Sequence, residues 1–223
     1  MWFPSGDCLV YFYERGQSRR GASLRFSLAD IEASNCRPLL EMACSSPVPE
    51  SPSPSASSSS EDGGFFTNPS PSGKYELYIP VPAHLNREEA LQYHLTTRNF
   101  FAWMFEKPLV GHNLGESLVT LHERMDEFRP DMEENQDDLL AYIDAMGYTD
   151  FRDCPDHALA VLHFAETFEY GDLWTDAFVH CAGMNDQLVT STEFMVRLPS
   201  TWVFLVLTDH VTVDIENDQG THY

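Results

Sequence analysis

Thiol and imidazole side chains that could bind zinc are grouped in the last third of the sequence. Cys154 and His157 have the spacing of a Cys-x-x-His ligand pair, and His163, His180 and Cys181 follow them. Zinc selects thiolate and imidazole ligands. However, His157 and His163 lie roughly 240° apart around a helix, so they do not share a face. Metal binding is therefore not expected, and the best candidate ligands for any metal are Cys154, His157, His180 and Cys181.

The sequence lacks the patterns that mark common enzyme sites. It has no glycine-rich phosphate loop, no G-x-G-x-x-G, no H-E-x-x-H and no G-x-S-x-G. The acidic stretch "DMEENQDDLLAY" resembles a calcium loop, but Gln136 stands where the sharp turn requires Gly and Tyr142 where a bidentate Glu is required. We expect no cofactor and favour a protein that is not an enzyme. The alternative is a metal-dependent or otherwise cryptic enzyme that uses the region of Cys154 and His157.

The charge balance limits which partners the chain can bind. Its 223 residues include 35 acidic and 13 basic side chains, which give a formal net charge of -22. Nucleic-acid-binding proteins gain most of their affinity from Lys and Arg that neutralise phosphates, and anionic membranes attract basic segments for the same reason. We therefore expect neither nucleic acid nor a membrane as partner. The expected partner is another protein, and a homodimer is one option.

Three features of the sequence indicate where the protein works. The N-terminal stretch "MWFPSGDCLVYFYERG" lacks the basic start, the apolar run and the small-residue cleavage site of a secretion signal. The apolar run from Trp202 to Leu207 is too short to span a bilayer. The five cysteines are odd in number and scattered, which favours reduced thiols over a disulfide framework. We predict a cytoplasmic or nuclear protein.

A Ser/Pro-rich stretch divides the chain. Residues 45–72 contain 11 Ser and 6 Pro in 28 positions, a composition that predicts a disordered linker. The linker separates an N-terminal piece, residues 1–44, from a helical domain at 73–197, which an atypical tail follows at 198–223. Phosphorylation would add negative charge to the linker. The candidate serines each precede a proline: Ser46, Ser51, Ser53 and Ser70.

The N-terminal piece has the pattern of a β-hairpin followed by a short helix, "LADIEASN". Two β-rich runs, Cys8 to Tyr13 and Ala22 to Ser27, are joined by a polar segment with glycines at both ends. Because an isolated hairpin is only marginally stable in water, we expect it to dock on the helical domain. Its local positive charge predicts a docking surface, within the chain or toward a partner, with a solvated turn as the alternative. The candidate partner-binding cations are Arg15, Arg19, Arg20 and Arg25.

The remainder of the chain shows helical periodicity after one strand, "KYELYIPVP". Asn86 with Glu89, and Asn113 with Glu116, form capping-box patterns at two helix starts. The second of these helices carries an apolar stripe at spacings of three and four: Leu114, Leu118, Leu121, Met125 and Phe128. Gly147 predicts the end of a third helix, and two more helices follow. The predicted fold class is α+β, mostly α, with five or more helices and a docked N-terminal hairpin.

The stretch "RNFFAWMFEKPLVG" holds four aromatic residues within six positions. At 100° per residue, Phe100, Phe101 and Phe105 lie on one broad apolar face, which predicts that they are core. Trp103 lies apart, beside polar residues. Two interpretations of Trp103 stay open: a docking site for the N-terminal hairpin, or an anchor for a partner protein, since Trp is enriched among binding hot spots.

Two stretches carry a resemblance to a known family. The sequence from "YELYIPVPAHLNREEALQYHLTTRNFFAWMFEKPLVG" through "DDLLAYIDAMGYTDFRDCPDHALAVLHFAETFEYGDLWTDAFVHCAGMND" resembles a family of filamentous-fungal proteins defined by a domain of unknown function. The resemblance covers roughly residues 74–197, and "GDCLVYFYERG" is similar to the region that precedes the domain. It implies no activity. Members continue helically beyond "STEF", whereas here "LPSTWVFLVLTDHVTVDIENDQGTHY" is β-like, so residues 198–223 depart from the family.

A weaker resemblance is to the BTB/POZ fold. The predicted order of hairpin, short helix, strand, the helix of "RNFFAWMFEKPLVG" and then "ALAVLHFAETFEYGDLWTDAFVHC" is similar to that fold's strand pair, first helix, third strand, tyrosine-rich helix and final helix pair. The resemblance implies a dimerising or adaptor module, and an unrelated helical bundle is the competing architecture. The function expected from the sequence is therefore protein–protein interaction, as an adaptor or scaffold.

Overall fold

The structure is a computed structural model and describes residues 1–45 and 74–194. These residues form four strands and eight helices. The strands are β1 (Cys8–Tyr11), β2 (Leu24–Phe26), β3 (Ala43–Ser45) and β4 (Tyr75–Tyr78). The helices are α1 (Leu28–Ala33), α2 (Arg37–Met42), α3 (Arg87–Met104), α4 (Leu114–Phe128), α5 (Asn135–Ala145), α6 (Pro155–Thr167), α7 (Gly171–Gly183) and α8 (Asn185–Leu188). The predicted class, α+β with mostly helix, is confirmed.

Contacts divide the chain into two compact units, Met1–His94 and Leu95–Tyr223. The boundary falls inside α3, whereas the sequence pattern places the start of the helical domain at residue 73. The difference arises because β4 pairs within the N-terminal sheet. The predicted linker, apart from Ser45, and the predicted tail at 198–223 lie outside the described residues. Docking of the hairpin on the helical domain stays a prediction.

The N-terminal unit is built on a sheet with strand order β2-β1-β4-β3. The predicted hairpin is confirmed, since β1 and β2 pair antiparallel with Cys8 opposite Phe26 and Val10 opposite Leu24. β1 also pairs in parallel with β4, which pairs antiparallel with β3 on its other side. The sequence predicted β4 but not its partners, and it did not predict β3 or α2, because pairing between distant segments leaves no local pattern.

The two faces of this sheet differ in character because successive side chains of a strand point to opposite faces. One face is fully buried and apolar: Cys8, Val10, Leu24, Phe26 and Leu77. The opposite face carries Tyr11 beside Tyr78 and Leu9 beside Glu76, according to the parallel register. Burial raises the pKa of the Cys8 thiol to about 12, and the charge of Asp7 adds to the effect. Cys8 therefore packs as a small neutral group.

Helix ends follow the predicted local chemistry at two places. The capping box at the start of α3 is confirmed: Asn86 Oδ1 accepts from the backbone N–H of Glu89 at 3.1 Å, and Glu89 Oε2 accepts from the N–H of Asn86 at 2.8 Å. After α5, Gly147 has a φ of 72°. A left-handed residue of this kind ends a helix, and Gly adopts the conformation at little cost.

The helical unit packs α4 against α6. The predicted stripe of α4 is confirmed in its central part, where Leu118, Leu121 and Met125 are fully buried. The two helices approach closely at Gly115, since a Cβ atom placed there would lie only 3.1 Å from the Cα of Ala160. A glycine permits this close approach because it has no side chain. In the described parts of the chain, no helix is both long and apolar enough to cross a membrane.

Replacing Phe100 with Ala should lower the free energy of unfolding by roughly 3–5 kcal/mol, because Phe100 is fully buried and its removal leaves a cavity. The matched control on the same helix is Leu91→Ala. Leu91 is 70% exposed, so its truncation should change stability by less than about 0.5 kcal/mol. Urea unfolding followed by circular dichroism measures both variants. Equal losses for the two would contradict the described burial.

Candidate partner-binding surfaces and a polar pocket

Three tyrosines meet on the side of the N-terminal sheet opposite its fully buried apolar face. Tyr11 and Tyr78 are register partners, and their rings stack at 4.7 Å with an interplanar angle of 12°. The ring of Tyr13 stands at 65° to Tyr11 and 66° to Tyr78, with centroids 5.6 and 6.4 Å away. All three side chains are partly buried. We call Tyr11, Tyr13 and Tyr78 the tyrosine face.

Charged groups border the tyrosine face. Arg15 Nη2 lies 3.5 Å from Glu76 Oε2, and the hydroxyl of Tyr78 donates to the same oxygen at 3.2 Å. Burial raises the pKa of Tyr78 to about 12, and the charge of Glu76 and the hydrogen bond to it add to the effect. Burial, followed by the charge of Glu76, also raises the pKa of Tyr11. At neutral pH both hydroxyls therefore remain protonated.

The four arginines predicted as partner-binding residues have different surroundings. Arg25 is partly buried and its Nε donates to the backbone oxygen of Gly6 at 2.9 Å. Arg15 pairs with Glu76. Arg19 and Arg20 are exposed. The hydroxyl of Tyr13 donates to the backbone oxygen of Arg20, which places the Arg19–Arg20 turn next to the tyrosine face. A partner-binding role for the four arginines stays a prediction.

Trp103 belongs to a stack of aromatic and cationic side chains in the helical unit. Its ring lies 5.5 Å from that of Phe100, which meets Phe128 edge-on at 5.0 Å. The guanidinium carbon of Arg129 lies 4.9 Å from the centre of the Trp103 ring, and that of Arg124 lies 5.1 Å from Phe128. Both arginines are buried. We call these five residues the cation–aromatic stack.

The stack changes what is expected of Trp103. The side chain is partly buried, and Arg129, which covers it, pairs with Asp138 at 2.7 Å. Trp103 therefore has structural neighbours inside its own unit. Its role as a partner anchor stays a prediction.

A polar pocket of about 240 Å³ lies where the N-termini of α4 and α6 meet the segment after α8. Its lining includes two carboxylates, two imidazoles and a hydroxyl: Asp156, Glu193, His112, His157 and Ser117. No local sequence pattern predicted this grouping, because its members come from three separate regions of the chain. Of the four predicted metal-ligand candidates, only His157 lines the pocket.

The segment after α8 caps α4. The carboxylate of Glu193 accepts from the backbone N–H groups of Leu114 and Gly115, the latter at 3.2 Å. The capping box predicted from Asn113 and Glu116 is not what the structure shows, since Asn113 makes no side-chain cap bond and instead donates through Nδ2 to the oxygen of Thr192 at 3.2 Å. A carboxylate at a helix N-terminus satisfies free N–H groups and is favoured by the helix dipole.

The same segment also contacts α6. The hydroxyl of Ser191 donates to Asp156 Oδ1 and accepts from the N–H of Glu193 at 3.2 Å. Burial raises the pKa of Glu193 above its ordinary value, hydrogen bonds from Leu114 and Gly115 oppose the shift, and the charge of Asp156 adds to it. Residues 191–193 therefore hold two helix N-termini together, with two carboxylates close to one another.

The predicted metal candidates do not form a site in the structure. Cys181 is fully buried, and burial raises the pKa of its thiol to about 12, whereas its neighbour His180 is exposed and lies 5.4 Å from the ring of Phe151. Cys154 is partly buried at the start of α6, and the ring of His157 lies 5.5 Å from that of Tyr148. Across residues 1–45 and 74–194, no three His, Cys, Asp or Glu side chains are grouped to hold a metal ion.

The predicted phosphorylation sites Ser46, Ser51, Ser53 and Ser70 lie outside the described residues. The tyrosine face was not predicted, although its members sit in predicted strands or next to them. The signal that could have found it is the two-residue spacing of Tyr11 and Tyr13, which places both on one face of an extended strand, combined with Tyr78 in the predicted strand "KYELYIPVP". That signal identifies a face only once the parallel pairing of β1 with β4 is known.

Comparison with known families finds one match. Residues 136–207 are similar to a family described as a domain of unknown function, DUF8004. The match supports the expected resemblance to a family of this kind, but it begins at residue 136 rather than near 74 and continues to 207. It contains most of α5 and all of α6, α7 and α8. No curated protein and no solved structure matches the chain.

A double-mutant cycle tests the contact between Trp103 and Arg129. Trp103→Ala and Arg129→Ala should each lower the free energy of unfolding by roughly 1–3 kcal/mol. The double variant should lose less free energy of unfolding than the sum of the two single losses. The difference, the coupling energy, should be about 0.5–2 kcal/mol, because a desolvated cation over an indole ring is stabilising. Urea unfolding of the four proteins gives the coupling. Additive losses would mean that the two side chains are energetically independent.

The pH dependence of stability tests the environment of Glu193. The pKa of Glu193 is higher in the folded protein than in the unfolded chain, so the folded state holds the proton more tightly. The protonated group therefore adds to the free energy of unfolding at low pH. This contribution is lost as the pH rises through the folded pKa. Glu193→Gln keeps an acceptor for the two N–H groups without the charge. Its stability relative to the wild type should therefore rise as the pH increases above the ordinary glutamate pKa of about 4.3.

Urea unfolding at a series of pH values measures this difference. Asp156→Asn is the companion variant. In that background, the stability difference between Asp156→Asn alone and Asp156→Asn with Glu193→Gln should depend less on pH, because the charge of Asp156 contributes to the raised pKa of Glu193. A stability difference that moves in favour of the wild type as pH rises would show that the two N–H bonds and the helix dipole dominate instead.

Proposed function

We propose that this chain is a non-enzymatic interaction module, an adaptor or scaffold, whose partner is another protein. The observation that carries the proposal is the surface formed by the tyrosine face and the exposed Arg19–Arg20 turn next to it. Tyr and Arg are enriched among the residues that dominate binding energy at interfaces. A basic turn on a chain of net charge -22 favours an acidic surface on the partner.

The topology of the N-terminal unit supports an adaptor. A strand pair is followed by two helices, and later by a strand that pairs in parallel with the first. This order is similar to that of the BTB/POZ fold, whose resemblance implies a dimerising or adaptor module. We include a BTB-like architecture, a possible homodimer and kinship with filamentous-fungal proteins in the proposal. This support is an analogy at the level of the fold.

The proposed place of action is the cytoplasm or the nucleus. All five cysteines are free, and Cys8, Cys36 and Cys181 are buried. Free thiols are usual in reducing compartments, and disulfides are usual in secreted proteins. Neither nucleic acid nor a membrane is proposed as a partner, because the net charge disfavours both.

The polar pocket at the N-termini of α4 and α6 supports a second candidate function, that of an enzyme. Asp156, His157 and Glu193 line one cavity, and an imidazole beside carboxylates is a combination that general acid–base catalysis uses. The predicted alternative placed such chemistry near Cys154 and His157. The pocket supports the part of that alternative that concerns His157. No substrate is identified by its lining.

The adaptor proposal predicts that partner capture depends on the basic turn. Arg19→Glu combined with Arg20→Glu should reduce captured partner at least tenfold, because two exposed cations that face an acidic surface are reversed. Arg37→Glu, which reverses another exposed arginine of the same unit, is the matched control and should retain the partner. Quantitative affinity capture from the source cells measures all three proteins, after circular dichroism has shown equal folding.

Native mass spectrometry of the purified chain separates the two candidate functions. A chain that retains no small molecule, as a monomer or dimer, agrees with the adaptor proposal. A retained metabolite that is lost in His157→Ala would favour the enzyme and direct attention to the polar pocket. Equal capture by the wild type and the Arg19→Glu, Arg20→Glu variant would remove the basic turn as the partner-binding surface.

A further inference from the structure

The tyrosine face has a shape that suits proline. The rings of Tyr11 and Tyr78 stack, and the ring of Tyr13 is inclined to them at 65° and 66°. The three rings therefore form a corner. Proline-rich segments dock on aromatic surfaces of this kind because their extended conformation is largely fixed before binding, which lowers the entropy cost. The face therefore favours a ligand with several closely spaced prolines.

The border of the face adds a charge preference. Arg15 lies at its edge with 54% of its side chain exposed, and the exposed Arg19–Arg20 turn is held next to Tyr13 by the hydrogen bond from the Tyr13 hydroxyl. Glu76 neutralises Arg15 in part. The remaining positive charge favours an acidic ligand over a neutral or basic one.

One segment of this chain has both properties. Residues 46–73 contain six prolines, three acidic residues and no lysine or arginine. The first part, "SPVPESPSP", alternates proline with small residues and includes Glu50. Ser51 and Ser53 precede prolines there, and their phosphorylation would add negative charge toward the arginines.

The described residues at the two ends of the segment belong to the same sheet as the face. Residue 45 ends β3 and residue 75 begins β4, and these strands are neighbours in the sheet. β4 itself carries Tyr78 and pairs with β1, which carries Tyr11. Neighbouring strands are about 5 Å apart, and nine residues reach at most roughly 30 Å. The prolines between residues 46 and 54 can therefore reach the tyrosine face, and the tether raises their effective concentration there.

We propose that residues 46–54 bind the tyrosine face of their own chain. Prolines pack against the corner formed by Tyr13 and the stacked pair Tyr11 and Tyr78, and Glu50 lies toward the basic border. A partner that needs this face must then compete with the tethered segment, and phosphorylation of Ser51 or Ser53 strengthens the internal complex. The inference goes beyond the adaptor function and holds without an external partner.

The test uses the full chain and a peptide probe. In the full-length chain, four alanine substitutions remove the internal ligand: Pro47→Ala, Pro49→Ala, Pro52→Ala and Pro54→Ala. The probe is a fluorescent peptide with the sequence of residues 45–56, followed by anisotropy. It should bind the substituted chain at least tenfold more tightly than the wild type, in which the tethered copy occupies the face. A peptide with alanine for every proline should not bind.

Further variants in the substituted chain locate the binding. Tyr13→Ala and, separately, Arg19→Glu with Arg20→Glu should each weaken peptide binding at least tenfold. Tyr75→Ala, on β4 but on the opposite face of the sheet, is the matched control and should leave binding unchanged. A peptide phosphorylated at Ser51 and Ser53 should bind more tightly than the unmodified one. The Arg19→Glu, Arg20→Glu protein keeps the test valid if Tyr13→Ala fails to fold.

Three results would overturn the proposal. The first is equal affinity of the peptide for the wild type and the substituted chain, including no binding to either. The second is peptide binding that Tyr13→Ala and the arginine reversals leave intact, because the peptide then binds elsewhere. The third is a dimer in native mass spectrometry that Tyr13→Ala dissociates, since a second copy of the chain would then occupy the face. The capture experiment with external partners is independent of all three.

Discussion

The helical unit depends on how it buries two cations among aromatic rings. In the cation–aromatic stack, Phe100 from α3 contacts Trp103 and Phe128. Arg129 lies over the Trp103 ring, and Arg124 lies over the Phe128 ring. Burying a charge is costly unless it is paired, and Arg129 meets this condition through Asp138 in α5. The backbone oxygen of Arg129 also accepts from Asn135 Nδ2 at 3.2 Å. One stack therefore joins α3, α4 and α5.

The N-terminal unit depends on a different constraint, the parallel pairing of β1 with β4. That pairing buries an apolar face and, on the other side, sets Tyr11 against Tyr78 and Leu9 against Glu76. Arg15, at the hairpin turn, reaches Glu76 only because β4 lies beside β1. The surface proposed for interaction is thus a product of two segments that a long stretch of chain separates. Tyr78 and Glu76 come from β4, Tyr11 comes from β1, and Tyr13 and the arginines lie in the segment between β1 and β2.

The chain is strongly acidic, and one of its carboxylates caps a helix. At α4 the carboxylate of Glu193 caps backbone N–H groups that Asn113 leaves unsatisfied. The same carboxylate is buried close to Asp156, so its pKa is raised rather than lowered. A sequence pattern could not have predicted this arrangement, because the cap lies 79 residues from the helix it serves. By contrast, the box of Asn86 and Glu89 was predicted, since both groups lie within one turn.

The sequence by itself determined the features that rest on neighbouring residues: the hairpin, the helices with their apolar stripes, the cap at Asn86 and the stop at Gly147. These follow from backbone preferences and side-chain periodicity, which act over one or two turns. Only the tertiary structure decided that β4 joins the N-terminal sheet, that Trp103 lies against Arg129, and that Asp156, His157 and Glu193 share a pocket. Each of these needs segments far apart in the chain to meet. The free energy that brings them together comes from burying apolar surface, which is not directional, so the sequence pattern shows which face of an element is buried but not which distant segment covers it.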